Sequence, residues 1–184
     1  MLTPIKRLIQ DVKAIIATLN SGATLLQAAL AINAPTTPVG LAIGGTKTNV
    51  YTGALGYVIA GKSYTKGAVA AGTAPGTDVV PQNKYGAVAF DIDAAGTITA
   101  AVAPANATGY ASAAAAAAAL PACAAAKARL GYVTAKSSGA GGFTFGTDNF
   151  DAAGTTVAYT DATTWLNQVL ASANTYTALV QKSY

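Results

Sequence analysis

Apolar residues recur at alternating intervals of three and four near the amino terminus: Ile5, Leu8, Val12, Ile15 and Leu19, with Ile9 and Ile16 widening the row. That period sets them on one face of an amphipathic helix of about four to five turns. Thr3 suits the N-cap, and Pro4 suits the first helical position, where its missing N–H is no loss. Asn20-Ser21-Gly22 offers a stop, and a second short helix from Thr24 to Ile32, with Leu25, Leu26, Ala29 and Leu30, is placed to fold back before Pro35. The stripe needs a cover, because a short helix draws most of its stability from packing its apolar face. Two covers fit the pattern: the body of this chain, or a surface outside it, either further copies or a larger particle.

From Pro35 the texture changes to Gly, Thr, Pro and short runs rich in β-formers. Strands are expected at Thr48–Thr52, Tyr57–Ala60, Tyr85–Ile92, Thr97–Val102, Leu130–Ala135, Gly142–Phe145 and Thr155–Tyr159, punctuated by Gly, Pro, Asn and Asp. Between Tyr110 and Ala128 the alanine run predicts a helix that Pro121 ends or kinks, and its small side chains would let it lie close to a sheet. A last helix is expected near 162–173, capped by Asp161 and packed by Trp165. The fold class is therefore α+β: a helical docking or oligomerisation arm over 1–34, then a body over 35–184 built mainly as a β sandwich or barrel-like unit.

Two short strings repeat. Leu55-Gly56-Tyr57-Val58-Ile59-Ala60 echoes Leu130-Gly131-Tyr132-Val133-Thr134-Ala135, and Asp93-Ala94-Ala95-Gly96-Thr97 returns unchanged at Asp151–Thr155. The offsets differ, which favours reuse of good local solutions over duplication of a unit. In the second string an Asp that accepts backbone N–H groups precedes a Gly free to take positive φ, so Asp93, Gly96, Asp151 and Gly154 are expected to form hairpin tips. Asp78 falls in a loop with no assigned role.

Composition narrows the chemistry. The 184 residues contain no His and no Glu; all seven acidic residues are Asp, and Cys123 is the single cysteine. Acid–base and metal chemistry near neutral pH rely on the missing types, so a structural task is expected, with no enzyme activity and no cofactor. One cysteine makes no internal disulfide, and Cys123, read as part of the alanine helix, is expected to be a small core hydrophobe. Mean hydropathy of +0.40 comes largely from alanine, without an uninterrupted apolar window long enough for a membrane span. The amino terminus carries Lys6 and Arg7, but Asp11 and Lys13 interrupt the apolar stretch that an export signal would need, so none is expected.

Charge is uneven. Over residues 1–77, Lys6, Arg7, Lys13, Lys47, Lys62 and Lys66 stand against Asp11 alone, a net +5, whereas the remainder carries −1. An acidic partner surface facing the amino-terminal part fits this asymmetry. The cations are scattered and form no nucleic-acid motif, so neither nucleic acid nor membrane is expected as a partner. Together with Ile5, Leu8, Ile9, Val12, Ile15, Ile16 and Leu19, the cations Lys6, Arg7 and Lys13 are the candidate interface residues.

Motifs that would carry chemistry fail on spacing. Asp91-Ile92-Asp93-Ala94-Ala95-Gly96 starts like a calcium loop, but its fifth position is Ala and its twelfth is Val102. Gly45-Thr46-Lys47-Thr48 lacks the adjacent Gly-Lys of a phosphate loop. A Ser/His/Asp triad is impossible without His, and Gly61-Lys62-Ser63 reads as a turn rather than a Ser–Lys nucleophile. Asn106-Ala107-Thr108 matches a glycosylation sequon but suits a loop and helix cap.

The string Lys127-Ala128-Arg129-Leu130-Gly131-Tyr132-Val133-Thr134 is followed by Phe143, Gly146-Thr147, Phe150-Asp151-Ala152-Ala153-Gly154-Thr155 and Tyr159-Thr160-Asp161. Ahead of it come a strand with Tyr85-Gly86 and Phe90-Asp91-Ile92-Asp93, then the alanine-rich segment. This order, over about residues 80–161, resembles a recurrent stretch in tailed-bacteriophage virion proteins. The resemblance implies a capsid-decorating, cement or head-fibre role, commonly in an oligomer, with the major capsid protein or other virion proteins as partners; the Ile5–Leu19 stripe, too wide and apolar to remain in water, makes a homotrimer the expected assembly. It implies residence on the capsid surface after synthesis in the host cytoplasm. Tail attachment is the nearest variant. A surface adhesin or pilus-like subunit binding a glycan through Tyr51, Tyr57, Tyr64 and Tyr85 is the alternative of a different class, although tyrosines in strands more often pack the sheet.

Overall fold

The computed structural model describes residues 2–165, 167 and 168, with side chains along the first helix at 7, 9–27 and 31. Helix α1 runs unbroken over Leu2–Ala31, 30 residues. The expected stop at Asn20-Ser21-Gly22 and the fold-back of a second helix are therefore corrected. The hydroxyls that signal a turn are spent inside the helix: Thr18 Oγ1 donates to Ala14 O (3.0 Å), Ser21 Oγ to Ala17 O (2.8 Å) and Thr24 Oγ1 to Asn20 O (3.0 Å). Gly22 alone costs a helix about 1 kcal/mol, less than stopping and renucleating it.

Asn33 joins helix to body. Its Nδ2 donates to Ala125 O (2.5 Å), and its Oδ1 accepts Ala60 N–H (2.8 Å). Ala60 and Gly61 take positive φ (49° and 74°), the pattern of a two-residue turn whose twist suits paired strands.

The body contains twelve short strands among the described residues: β1 Ala34–Pro35, β2 Ala42–Ile43, β3 Val50–Thr52, β4 Leu55–Ile59, β5 Lys62–Lys66, β6 Val69–Thr73, β7 Val79–Val80, β8 Gly86–Asp93, β9 Ile98–Val102, β10 Lys127–Ser137, β11 Phe143–Thr144 and β12 Thr155–Asp161. They form a four-stranded sheet (β12-β10-β8-β9), two three-stranded sheets (β1-β4-β5 and β2-β3-β6) and the pair β11-β7, with every pairing antiparallel. This is an α+β fold with a β-rich body and an amino-terminal helix. Each of the seven expected strand segments overlaps a strand. Those that the reading passed over are β1, β2, β5, β6 and β7.

One apolar core serves the sheets. Val88, Phe90 and Ile92 of β8 join Leu130, Val133 and Ala135 of β10, with Val50, Leu55, Tyr57, Phe143, Phe145 and Phe150 against them. Phe143 and Phe145 meet edge to face at 5.2 Å, and Phe150 stacks on Phe143 at 5.5 Å. The opposite face of β8 is covered by helix α2, Ala113–Ala118, where Ala116 packs on Ala87 and Ala103, all buried. The alanine helix expected over 110–128 is thus six residues long. Ser112 caps it by accepting Ala115 N–H, it ends ahead of Pro121, and Lys127 already begins β10. The last helix, expected near 162–173 with Asp161 as its cap, is corrected at its start: Asp161 ends β12, 162–164 are irregular, and helix is found at Trp165, Asn167 and Gln168, with 166 and 169–173 outside the described residues.

A bulge between Arg129 and Gly131 shifts the β10 register against β8. Ala128 ahead of it and the extra residue Leu130 face the core, and after it Val133 and Ala135 do, so the insertion exchanges the two faces of the strand. Gly131 absorbs the shift at φ +145°.

Candidate docking surface

Side chains on α1 leave their apolar stripe in solvent. Ile9 is 50 % exposed, Val12 45 %, Ile15 59 %, Ile16 51 % and Leu19 67 %. Leu26 extends the row at 62 %, seven residues beyond Leu19. The sequence reading placed Leu26 on a separate helix, although its heptad spacing was the signal that the helix continues. The side chains of Ile5, Lys6 and Leu8 lie outside the described residues, whereas Arg7 and Lys13 are exposed. Among the described residues, buried core side chains begin at Ala34, so Ile9, Val12, Ile15, Ile16, Leu19 and Leu26 are not covered by the body of this chain. Complete burial of an aliphatic side chain of this size is worth roughly 1.5–3 kcal/mol. Six half-exposed ones thus leave on the order of 5–10 kcal/mol per copy to be gained by association.

The expected turn residues divide. Asp93 and Gly96 form the tip joining β8 to β9: Asp93 Oδ1 accepts Ala95 N–H and Thr97 N–H, both at 2.9 Å, and Gly96 holds φ +80°. Gly154 also has positive φ (+79°), but its turn feeds β12, which pairs with β10 and not with the preceding β11. The hairpin expected at Asp151–Gly154 is therefore corrected to a crossover turn. The Asp151 carboxylate receives Lys47 Nζ at 2.6 Å in an exposed ion pair. Asp78 does have a role, since Asn106 Nδ2 donates to its Oδ2 (3.2 Å) while buried Asn106 also exchanges hydrogen bonds with the Ala87 backbone.

These contacts order two substitutions. Gly154→Val adds a β-branched side chain at positive φ with its Cβ 2.7 Å from Ser138 Oγ, which we expect to cost about 2–3 kcal/mol. Asp78→Ala removes one of several hydrogen bonds to Asn106, about 1 kcal/mol. Thermal melts should place Gly154→Val several degrees lower; equal melting temperatures would remove the role assigned to the Gly154 turn.

Polar groups in the body act as struts. Arg129 Nε and Nη2 reach Asp91 Oδ1 and Oδ2 at 2.8 and 3.1 Å, and Nη2 also donates to Pro121 O at 2.8 Å, tying the segment after α2 to the sheet. Hydrogen bonding to Asp91 raises the Arg129 pKa further. Asp161 accepts Gly40 and Leu41 N–H at 2.8 and 2.9 Å, fixing the approach to β2. Cys123 lies in the segment after α2 rather than in a helix, and burial with the nearby Asp91 charge pushes its thiol up to about 11, so it is protonated at neutral pH. Tyr57 is buried, stacks on Tyr64 at 5.4 Å and donates to Asp93 O, so it offers no face to a ligand. Lys136 Nζ sits 5.2 Å from the centre of the Tyr85 ring.

An open cleft of about 390 Å³ is lined by Lys66, Val69, Thr73 and the Gly96 turn. The Ala95 and Thr97 N–H groups beside it are already taken by Asp93. Among the described residues, no cluster of three His, Cys, Asp or Glu side chains is placed to hold a metal ion, and no helix is long and apolar enough to cross a membrane. Comparison with known protein families, curated proteins and solved structures finds no match to this chain.

Proposed function

We propose that this protein is a non-enzymatic structural component of a tailed-phage virion, a capsid decoration or cement protein that binds and stabilises the major capsid shell. The observation that carries the reading is an α1 stripe exposed from Ile9 to Leu26 on a helix that leads through Asn33 into a well-packed body. An apolar face of this extent is ordinarily completed by another polypeptide. The sequence pattern over about residues 80–161 supplies the virion context. In this reading the β-rich body sits between capsomers, the arms tie three copies together, and no cofactor, nucleic acid or membrane takes part.

The test is quantitative protein analysis of purified virions. A copy number comparable to that of the major capsid protein supports decoration. A few copies per particle would move the protein to a head fibre or tail attachment, and absence from virions would overturn the reading in favour of a surface subunit.

A further inference from the structure

We propose that the α1 stripe is covered by the α1 helices of two further copies, in a parallel, in-register three-stranded coiled coil. The inference rests on the structural role proposed above and names the partner of its arm. The continuity of the helix is the first support, because without a break at Gly22 one heptad register runs through the arm. Val12, Leu19 and Leu26 repeat every seven residues, Ile15 and Gly22 form the row on one side of them, and Ile9, Ile16 and Ala23 form the row on the other.

The width of the stripe sets the number of strands. A two-stranded seam buries two rows and would leave Ile9 and Ile16 in water, whereas a three-stranded one takes in the third. The central heptad has β-branched residues at both inward positions, Val12 and Ile15, which also favours more than two strands.

Charge sets the direction. Asp11 precedes Val12 and flanks the Ile15 side of the stripe; Lys13 follows Val12 and flanks the Ile16 side. Both side chains are exposed. Two residues of helix separate them, so their heights differ by only about 3 Å. In a parallel ring each copy's Asp11 side meets the next copy's Lys13 side at nearly the same height, giving one opposite-charge contact at every interface. An antiparallel arrangement sets like flanks together and loses these contacts. Arg7 falls on the outside of such a coil, free to meet a shell.

Native mass spectrometry of the full chain should give three times 18.1 kDa, about 54 kDa. Ile15→Asp should leave a monomer whose β-sheet circular dichroism is unchanged, because the Ile15 side chain is 59 % exposed and takes no part in the core. Asp11→Lys and Lys13→Asp should each weaken the trimer about threefold to tenfold, and the two together should restore it. A monomer or dimer of the full chain at tens of micromolar would overturn the proposal, as would a double variant that assembles no better than the single ones. The virion reading fails separately: monomers incorporated in full number would sink the coil alone, and a stable trimer absent from virions would sink the virion role alone.

Discussion

Gly131→Ala is expected to cost at least about 3 kcal/mol, while the same change at Gly141 leaves stability within about 0.5 kcal/mol. Gly131 stands at the bulge of β10 with φ +145°, where a Cβ would lie 2.2 Å from Thr160 O, 2.6 Å from Leu41 Cδ1 and 3.0 Å from Asp161 Cα. Two of those three atoms are backbone of β12, the strand that pairs with β10 at Gly131↔Asp161. Relief would require opening the ladder, and it would also disturb the Asp161 carboxylate that holds Gly40 and Leu41. The bulge decides which face of β10 enters the core, so the damage reaches Val133 and Ala135 beyond it. Gly141 has an ordinary φ and nothing within 4 Å of its absent Cβ. For a chain of this size the difference amounts to a melting temperature roughly 6–12 °C lower for Gly131→Ala. Matching melts for the two variants would mean that β10 does not depend on its bulge.

That bulge shows where the sequence was legible and where it was not. Strands with plain alternation or a continuous apolar run, such as β8 and β12, could be read from side-chain type and flanking turns. The second Leu-Gly-Tyr-Val string looked like a six-residue strand, but β10 is eleven residues long because its two halves present opposite parities to one core. No single period describes it. Strands β5 and β6, Lys62–Lys66 and Val69–Thr73, were missed because they carry Lys, Ser, Gly and Ala, and their place comes from partners β4 and β3 rather than from their own propensity. The alanine run was over-read in the other direction: helix propensity was high, yet Arg129 and Asp91 pull the following residues into the sheet. On the arm, the apolar positions were legible and their continuity was not. Ser21 and Gly22 signal a stop only when the hydroxyl turns away from the helix, and here it bonds to Ala17 O.

Removing residues 1–31 is expected to abolish both self-association and shell binding while leaving a folded β-rich domain. Among the described residues, buried hydrophobic side chains begin at Ala34, and β1 is held by β4 through Ala34↔Val58 and Pro35↔Tyr57, so the cut takes away none of the described core. It also spares Asn33, whose amide bridges Ala60 N–H and Ala125 O. A cut after residue 33 removes that bridge, exposes the two backbone groups and should cost roughly 1–2 kcal/mol more without unfolding the domain. If the proposed docking places Arg7, Lys13 and the other cations of the +5 amino-terminal portion against acidic capsid surface, binding of the full chain should weaken as salt is raised, because ions screen exposed charges over about 8–10 Å. Circular dichroism reports folding, native mass the assembly, and cosedimentation with capsids stripped of the protein reports docking. A truncated protein that unfolds would place α1 in the folding unit. One that folds and still cosediments at full level would move the docking surface onto the β-rich body and leave the arm with self-association alone.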